Sequence, residues 1–79
     1  MPMPEMTSVV SSNVAALGYD ASEEALYVRY NSGHLYKYKG VPESLYQGAL
    51  SAESAGKFVN TYIKGPDPID NPLYAYERV

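Results

Sequence analysis

The sequence predicts an α+β domain, a three-stranded antiparallel sheet packed by two short helices, with room for a short C-terminal strand. Three observations carry this expectation. Residues 25–30 and 34–39 are β-rich runs separated by the turn Asn31-Ser32-Gly33. Residues 43–50 and 55–64 then repeat apolar side chains at the four-residue spacing of a helix face. The chain has 79 residues, enough for one core and too few for two.

Taken in order, residues 1–8 hold prolines, methionines and no periodicity, which predicts a flexible leader. Residues 9–79 form the single expected domain, including a proline-rich connection and a C-terminal tail. The first strand is expected within residues 9–19, with 14–19 as its stronger part and Gly18 marking a bulge or close approach. Asp20-Ala21-Ser22-Glu23-Glu24 is polar and turn-like.

The hairpin of residues 25–39 gives the clearest pattern. Side chains alternate between faces along a strand, so Leu26, Val28 and Tyr30 share one side while Tyr27 and Arg29 share the other. In the partner run Tyr36 and Tyr38 oppose Leu35, Lys37 and Lys39. The lysines belong in water, which predicts a core face of Leu26, Val28, Tyr30, Tyr36 and Tyr38.

Pro42 suits a helix start, where its missing N–H has no intrahelical role, and Glu43 complements the positive end of the helix dipole. Leu45 with Ala49 and Tyr46 with Leu50 supply the first apolar stripe. Ser51 or Ser54 is placed to cap the second helix, whose pairs are Phe58 with Tyr62 and Val59 with Ile63. Gly65-Pro66 is a stop signal after Lys64. Residues 66–72 predict an irregular connection, and residues 73–79 regain strand character.

The ordered series Gly18-Tyr19-Asp20, Leu26-Tyr27-Val28-Arg29-Tyr30, Gly33-His34-Leu35-Tyr36-Lys37-Tyr38, Val41-Pro42, Tyr46, and Ala52-Glu53-Ser54-Ala55-Gly56-Lys57-Phe58 with Asn60 and Ile63-Lys64 resembles the KTSC domain. That family occurs at the C-terminus of some lysyl-tRNA synthetases and as short stand-alone bacterial proteins. Its recognisable mark is Tyr-x-Tyr, here Tyr36-Lys37-Tyr38. The resemblance covers roughly residues 11–64. It implies no established activity, and RNA binding only as a suggestion attached to the synthetase context.

The residues themselves point away from catalysis. Serines are plentiful, but a serine nucleophile needs a base oriented by a third group, and the chain has one histidine, His34, beside a turn. Glu23-Glu24 and Asp67 with Asp70 are the closest candidates for an acid–base pair, but proximity without burial does not separate two carboxyl pKa values. His34 and the scattered carboxylates do not reproduce metal-ligand spacing, and the glycines are dispersed through separate elements rather than gathered into a phosphate-binding loop. No catalytic residue, metal or cofactor is therefore expected. There is no cysteine, no signal-peptide pattern and no apolar run long enough to span a bilayer, so the expectation is a soluble, cytoplasmic protein without a membrane partner.

What remains is binding. Nine tyrosines against one phenylalanine supply rings whose hydroxyls need partners or water, a composition suited to core margins and contact surfaces. Residues 25–40 hold Arg29, Lys37 and Lys39 without an acid, although the chain as a whole carries net charge −3. The expected role is a small non-catalytic macromolecular interaction domain, with Tyr27, Arg29, Lys37 and Lys39 as the contact face and His34 at its edge. Its partner would be another protein or, through the terminal strand, a second copy of the chain. The alternative is weak binding of single-stranded or structured RNA through the same residues.

Overall fold

The computed structural model describes residues 5–9, 11–65 and 74–79. Its strands are β1 (Thr7–Ser8), β2 (Val14–Asp20), β3 (Ala25–Tyr30), β4 (Leu35–Lys39) and β5 (Tyr76–Arg78). They form one sheet in the order β1-β2-β3-β4-β5, with every neighbouring pair antiparallel. Helices α1 (Glu43–Ser51) and α2 (Ala55–Val59) lie between β4 and β5 in the chain, and α2 runs on into a π-helical turn, Asn60–Lys64.

The sheet thus has five strands rather than the expected three, and β5 is an integral strand. Both additions are short edges made by backbone pairing. Thr7 and Ser8 sit opposite Leu17 and Ala16, and the Val9 N–H donates to the Ala15 carbonyl at 3.0 Å. On the other edge, Lys39 N–H donates to Ala75 O at 2.8 Å and Val79 N–H to Leu35 O at 2.9 Å. The residues of β1 and β5 are exposed, so neither strand has the buried alternation by which a strand is read from sequence. The irregular connection expected at residues 66–72 lies outside the described residues, as does Leu73.

The central hairpin follows the alternation. Leu26, Val28 and Tyr38 are buried in the main core, with Tyr30 and Tyr36 packed against it. Its turn uses Gly33 at φ 96, where a side chain would be strained, and Gly33 N–H donates to Tyr30 O at 2.9 Å. In β2, Val14 pairs with Tyr30 and Ala16 with Arg29, so Ala15 is an extra residue. This bulge, three residues before the glycine expected to mark it, lets Val14 and Leu17 reach the same core from positions three apart.

The helices cover this side of the sheet with Ala49, Ala55, Val59 and Ile63, all buried. Ser54 caps α2, its Oγ accepting from Lys57 N–H at 3.3 Å. The expected single α-helix through Lys64 changes pitch after Val59, and Gly65 N–H closes an i to i+5 bond on Asn60 O at 3.0 Å. Val59 and Ile63 still both point inward, while Tyr62 is left 51% exposed. Val41 ties the layers together, donating to Glu24 O at 2.9 Å and accepting from Tyr19 Oη at 2.6 Å.

A tyrosine-lined concavity as the candidate functional site

The two faces of the hairpin differ in what they offer a partner. On the face away from the helices, Tyr27 is only 7% exposed and packs with Ala25 and Leu35 beneath Met6. Little of its ring is available for stacking. Lys37 lies opposite Tyr27, its Nζ 5.8 Å from the ring centroid and 3.2 Å from Glu23 Oε2, and that contact raises the ammonium above its ordinary pKa. Lys39 Nζ is 3.7 Å from Glu77 Oε1. Arg29 is exposed and lies opposite Leu35. The basic cluster expected from residues 25–40 is thus interleaved with acids from the β2–β3 turn and β5, which local sequence could not show.

On the helix side the register aligns tyrosines across three strands. Tyr36 lies opposite Val28 and Arg78, and Tyr38 opposite Leu26 and Tyr76. Directly opposed residues share a face, so Tyr36, Tyr38 and Tyr76 converge, and Tyr30 joins them from the end of β3. Tyr36 meets Tyr30 edge-on at 5.6 Å between centroids and Tyr76 at 6.0 Å, and Tyr38 is 5.5 Å from Tyr76. These separations and tilts match the favourable arrangements of aromatic quadrupoles.

These rings line an open concavity of about 620 Å³, closed at the hairpin end by Ser12, Asn13, Asn31, Ser32 and His34 and on the helix side by Lys64. The volume falls within the range of small-ligand sites, roughly 300–1,000 Å³. Tyr30 and Tyr38 join hydroxyls at 3.0 Å. Burial, followed by this bond, pushes the Tyr38 phenol far above its ordinary pKa. Burial also raises Tyr30, with the bond to Tyr38 acting the other way. Both phenols therefore remain protonated at neutral pH, able to donate as well as accept. Lys64 Nζ sits 5.3 Å from the Tyr30 ring centroid.

Of the residues singled out from sequence, His34 reaches this concavity, whereas Tyr27, Arg29, Lys37 and Lys39 lie on or along the opposite face. Sequence reasoning placed Tyr30, Tyr36 and Tyr38 on the core face, where Tyr38 is buried and Tyr30 and Tyr36 pack against the core, but it missed the hollow these rings also line and Lys64 and Tyr76 as its residues. The available signal was the excess of tyrosine over phenylalanine on a face expected to be buried. Among the described residues no group of three or more His, Asp or Glu could hold a metal ion, and no helix is long and apolar enough to cross a membrane.

The chain resembles known proteins in sequence and in fold. The KTSC domain model matches residues 10–66. A protein of Tsukamurella paurometabola is 42% identical over 59 residues, which are 75% of this chain and 88% of that one. An uncharacterized protein of Stutzerimonas stutzeri is 41% identical over 54 residues, 68% of this chain and 76% of that one. The crystal structure of a KTSC domain protein from Yersinia pestis superposes with a TM-score of 0.82 at 29% identity, covering 95% of this chain and 96% of the other. The family match spans every element from β2 through the π-helical turn, and the solved structure extends the likeness over nearly the whole chain, so this protein belongs to the KTSC domain family.

Proposed function

We propose that this KTSC domain is a macromolecular interaction module that holds a segment of a partner protein in the tyrosine-lined concavity. The observation that carries this is the convergence of Tyr30, Tyr36, Tyr38 and Tyr76 on one open hollow with an amide and hydroxyl rim. Tyrosine suits such a surface because it combines a large contact area with a polar tip and loses little rotamer freedom. Weak RNA binding through Tyr27, Arg29, Lys37 and Lys39 has less support: the tyrosine is buried and both lysines face acids. A net charge of −3 would also oppose the approach of nucleic acid. A cytoplasmic setting remains part of the proposal, as does self-association as one form the contact takes.

Photocrosslinking tests this directly. A photoreactive residue at Ser32, on the rim, is expected to give a discrete protein adduct in cells, lost when Tyr36→Leu is introduced. The same group at Gln47, an exposed residue of α1, should not give that adduct. An adduct of twice the chain mass identifies a second copy as the partner. Adducts that disappear with ribonuclease, or that are the same from both positions, overturn the proposal.

A further inference from the structure

Lys64 is the one formally charged side chain among the described residues that line the concavity. The ion pairs among the described residues join Lys37 to Glu23 and Lys39 to Glu77, so neither takes up Lys64. Lys64 is half-buried as a residue and its ammonium rests near the Tyr30 ring, a position in which a single opposite charge in the hollow would be attracted. Arg78, opposite Tyr36 in the register, adds a second positive residue on the same side of the sheet. An otherwise acidic chain thus presents a positive hollow here.

The rest of the lining decides between ligand classes. Bare tyrosine faces would favour a cation, but Lys64 already stands by Tyr30 and would repel one. An anion instead meets donors from the rim: the hydroxyls of Ser12 and Ser32 and the amides of Asn13 and Asn31. Asn13 already uses its Oδ1 as acceptor for Ser11 Oγ at 3.2 Å, which leaves its amide nitrogen as the group with protons to give. Nucleic acid gains affinity by neutralising several phosphates together, and one lysine with one neighbouring arginine offers little of that. One carboxylate on a planar apolar group satisfies both the cation and the rings.

Resting on the interaction reading above, we infer that the partner segment places an aromatic or similarly flat apolar side chain against Tyr30 and Tyr36 and a carboxylate at Lys64. The segment is therefore acidic and aromatic rather than basic. Lys64 sets the sign of the charge accepted, and the tyrosines set the shape.

Three probes that share one ring separate these contributions: phenylacetate, its neutral amide phenylacetamide, and phenethylammonium, each titrated into the full chain while tyrosine-ring and amide NMR resonances are followed. Phenylacetate is expected to shift Tyr30, Tyr36 and Lys64 saturably, with phenylacetamide at least about tenfold weaker and phenethylammonium weaker still. Lys64→Gln should bring phenylacetate down to the level of the amide and leave the amide unchanged, which also shows that the variant is folded. Equal affinity for acid and amide, preference for the ammonium, or indifference to Lys64→Gln overturns the inference. So does a uridine oligonucleotide that shifts the same resonances at lower concentration than phenylacetate. Rim adducts at Ser32 without binding of any probe overturn this chemistry and leave the interaction reading standing. Lys64-dependent phenylacetate binding without adducts supports the chemistry and removes the protein-partner reading.

Discussion

A side chain at position 56 would collide with the hydrogen-bonded node that joins the start of β2 to α2. Ser11 Oγ accepts from Gly56 N–H at 3.1 Å while donating to Asn13 Oδ1, and a Cβ on Gly56 would overlap both polar atoms. Gly48 is also tight, its Cβ position 2.7 Å from Phe58 Cζ, but that neighbour is the far end of a partly buried ring that can swing. The same substitution should therefore act differently at the two sites. Gly56→Ala is expected to cost about 1–3 kcal/mol through overpacking and loss of the node. Gly48→Ala should stay within about 1 kcal/mol of wild type, because the helix-propensity gain offsets the crowding. Urea midpoints at unchanged m-value measure both. Gly56 did not announce this role in the sequence, since its hydrogen-bond partner Ser11 lies 45 positions away.

At the scale of elements, legibility followed burial. β3 and β4 were readable because one face is apolar and the other polar, and α1 because Pro42 and Glu43 mark its start. β2 was partly hidden by the Ala15 bulge, which breaks the two-residue period just where Val14 enters the core. β1 and β5 were hidden because backbone pairing, rather than buried side chains, makes them strands. For β5 charge adds to the pairing: Glu77 lies directly opposite Lys37 and 3.7 Å from Lys39. Glu77→Lys would place three like charges together on an exposed edge, with an effect on global stability below about 1 kcal/mol. Local opening should show it more clearly. Amide exchange is expected to accelerate at Lys39 and Val79, whose N–H groups bond across this seam, while Leu26 and Val28 on the central strand keep their protection. Unchanged exchange at Lys39 and Val79 would show that backbone pairing alone holds the edge.

For the whole molecule, the fold's tyrosines link folding to alkaline pH. The sequence made the aromatic face visible, but not the fact that it is left partly open, which depends on α1 packing against β2 while β3, β4 and β5 carry the rings. Burial raises the phenol pKa of Tyr30 and Tyr38 above the ordinary value of 10.0, so the folded chain keeps protons there that the unfolded chain releases. That contribution to stability is fully present below pH 10 and is lost as pH rises toward the folded values. Stability should then fall with a limiting slope of about 1.4 kcal/mol per pH unit for each retained proton. Tyr38→Phe removes one titrating group and the hydroxyl partner of Tyr30. The variant is expected to lose some stability at pH 7, about 1 kcal/mol for the hydrogen bond, yet to decline less steeply above pH 10, so that its urea midpoint approaches that of wild type as pH increases. Parallel curves for the two proteins between pH 9 and 11 would mean that the Tyr38 proton is not what couples this core to alkaline pH.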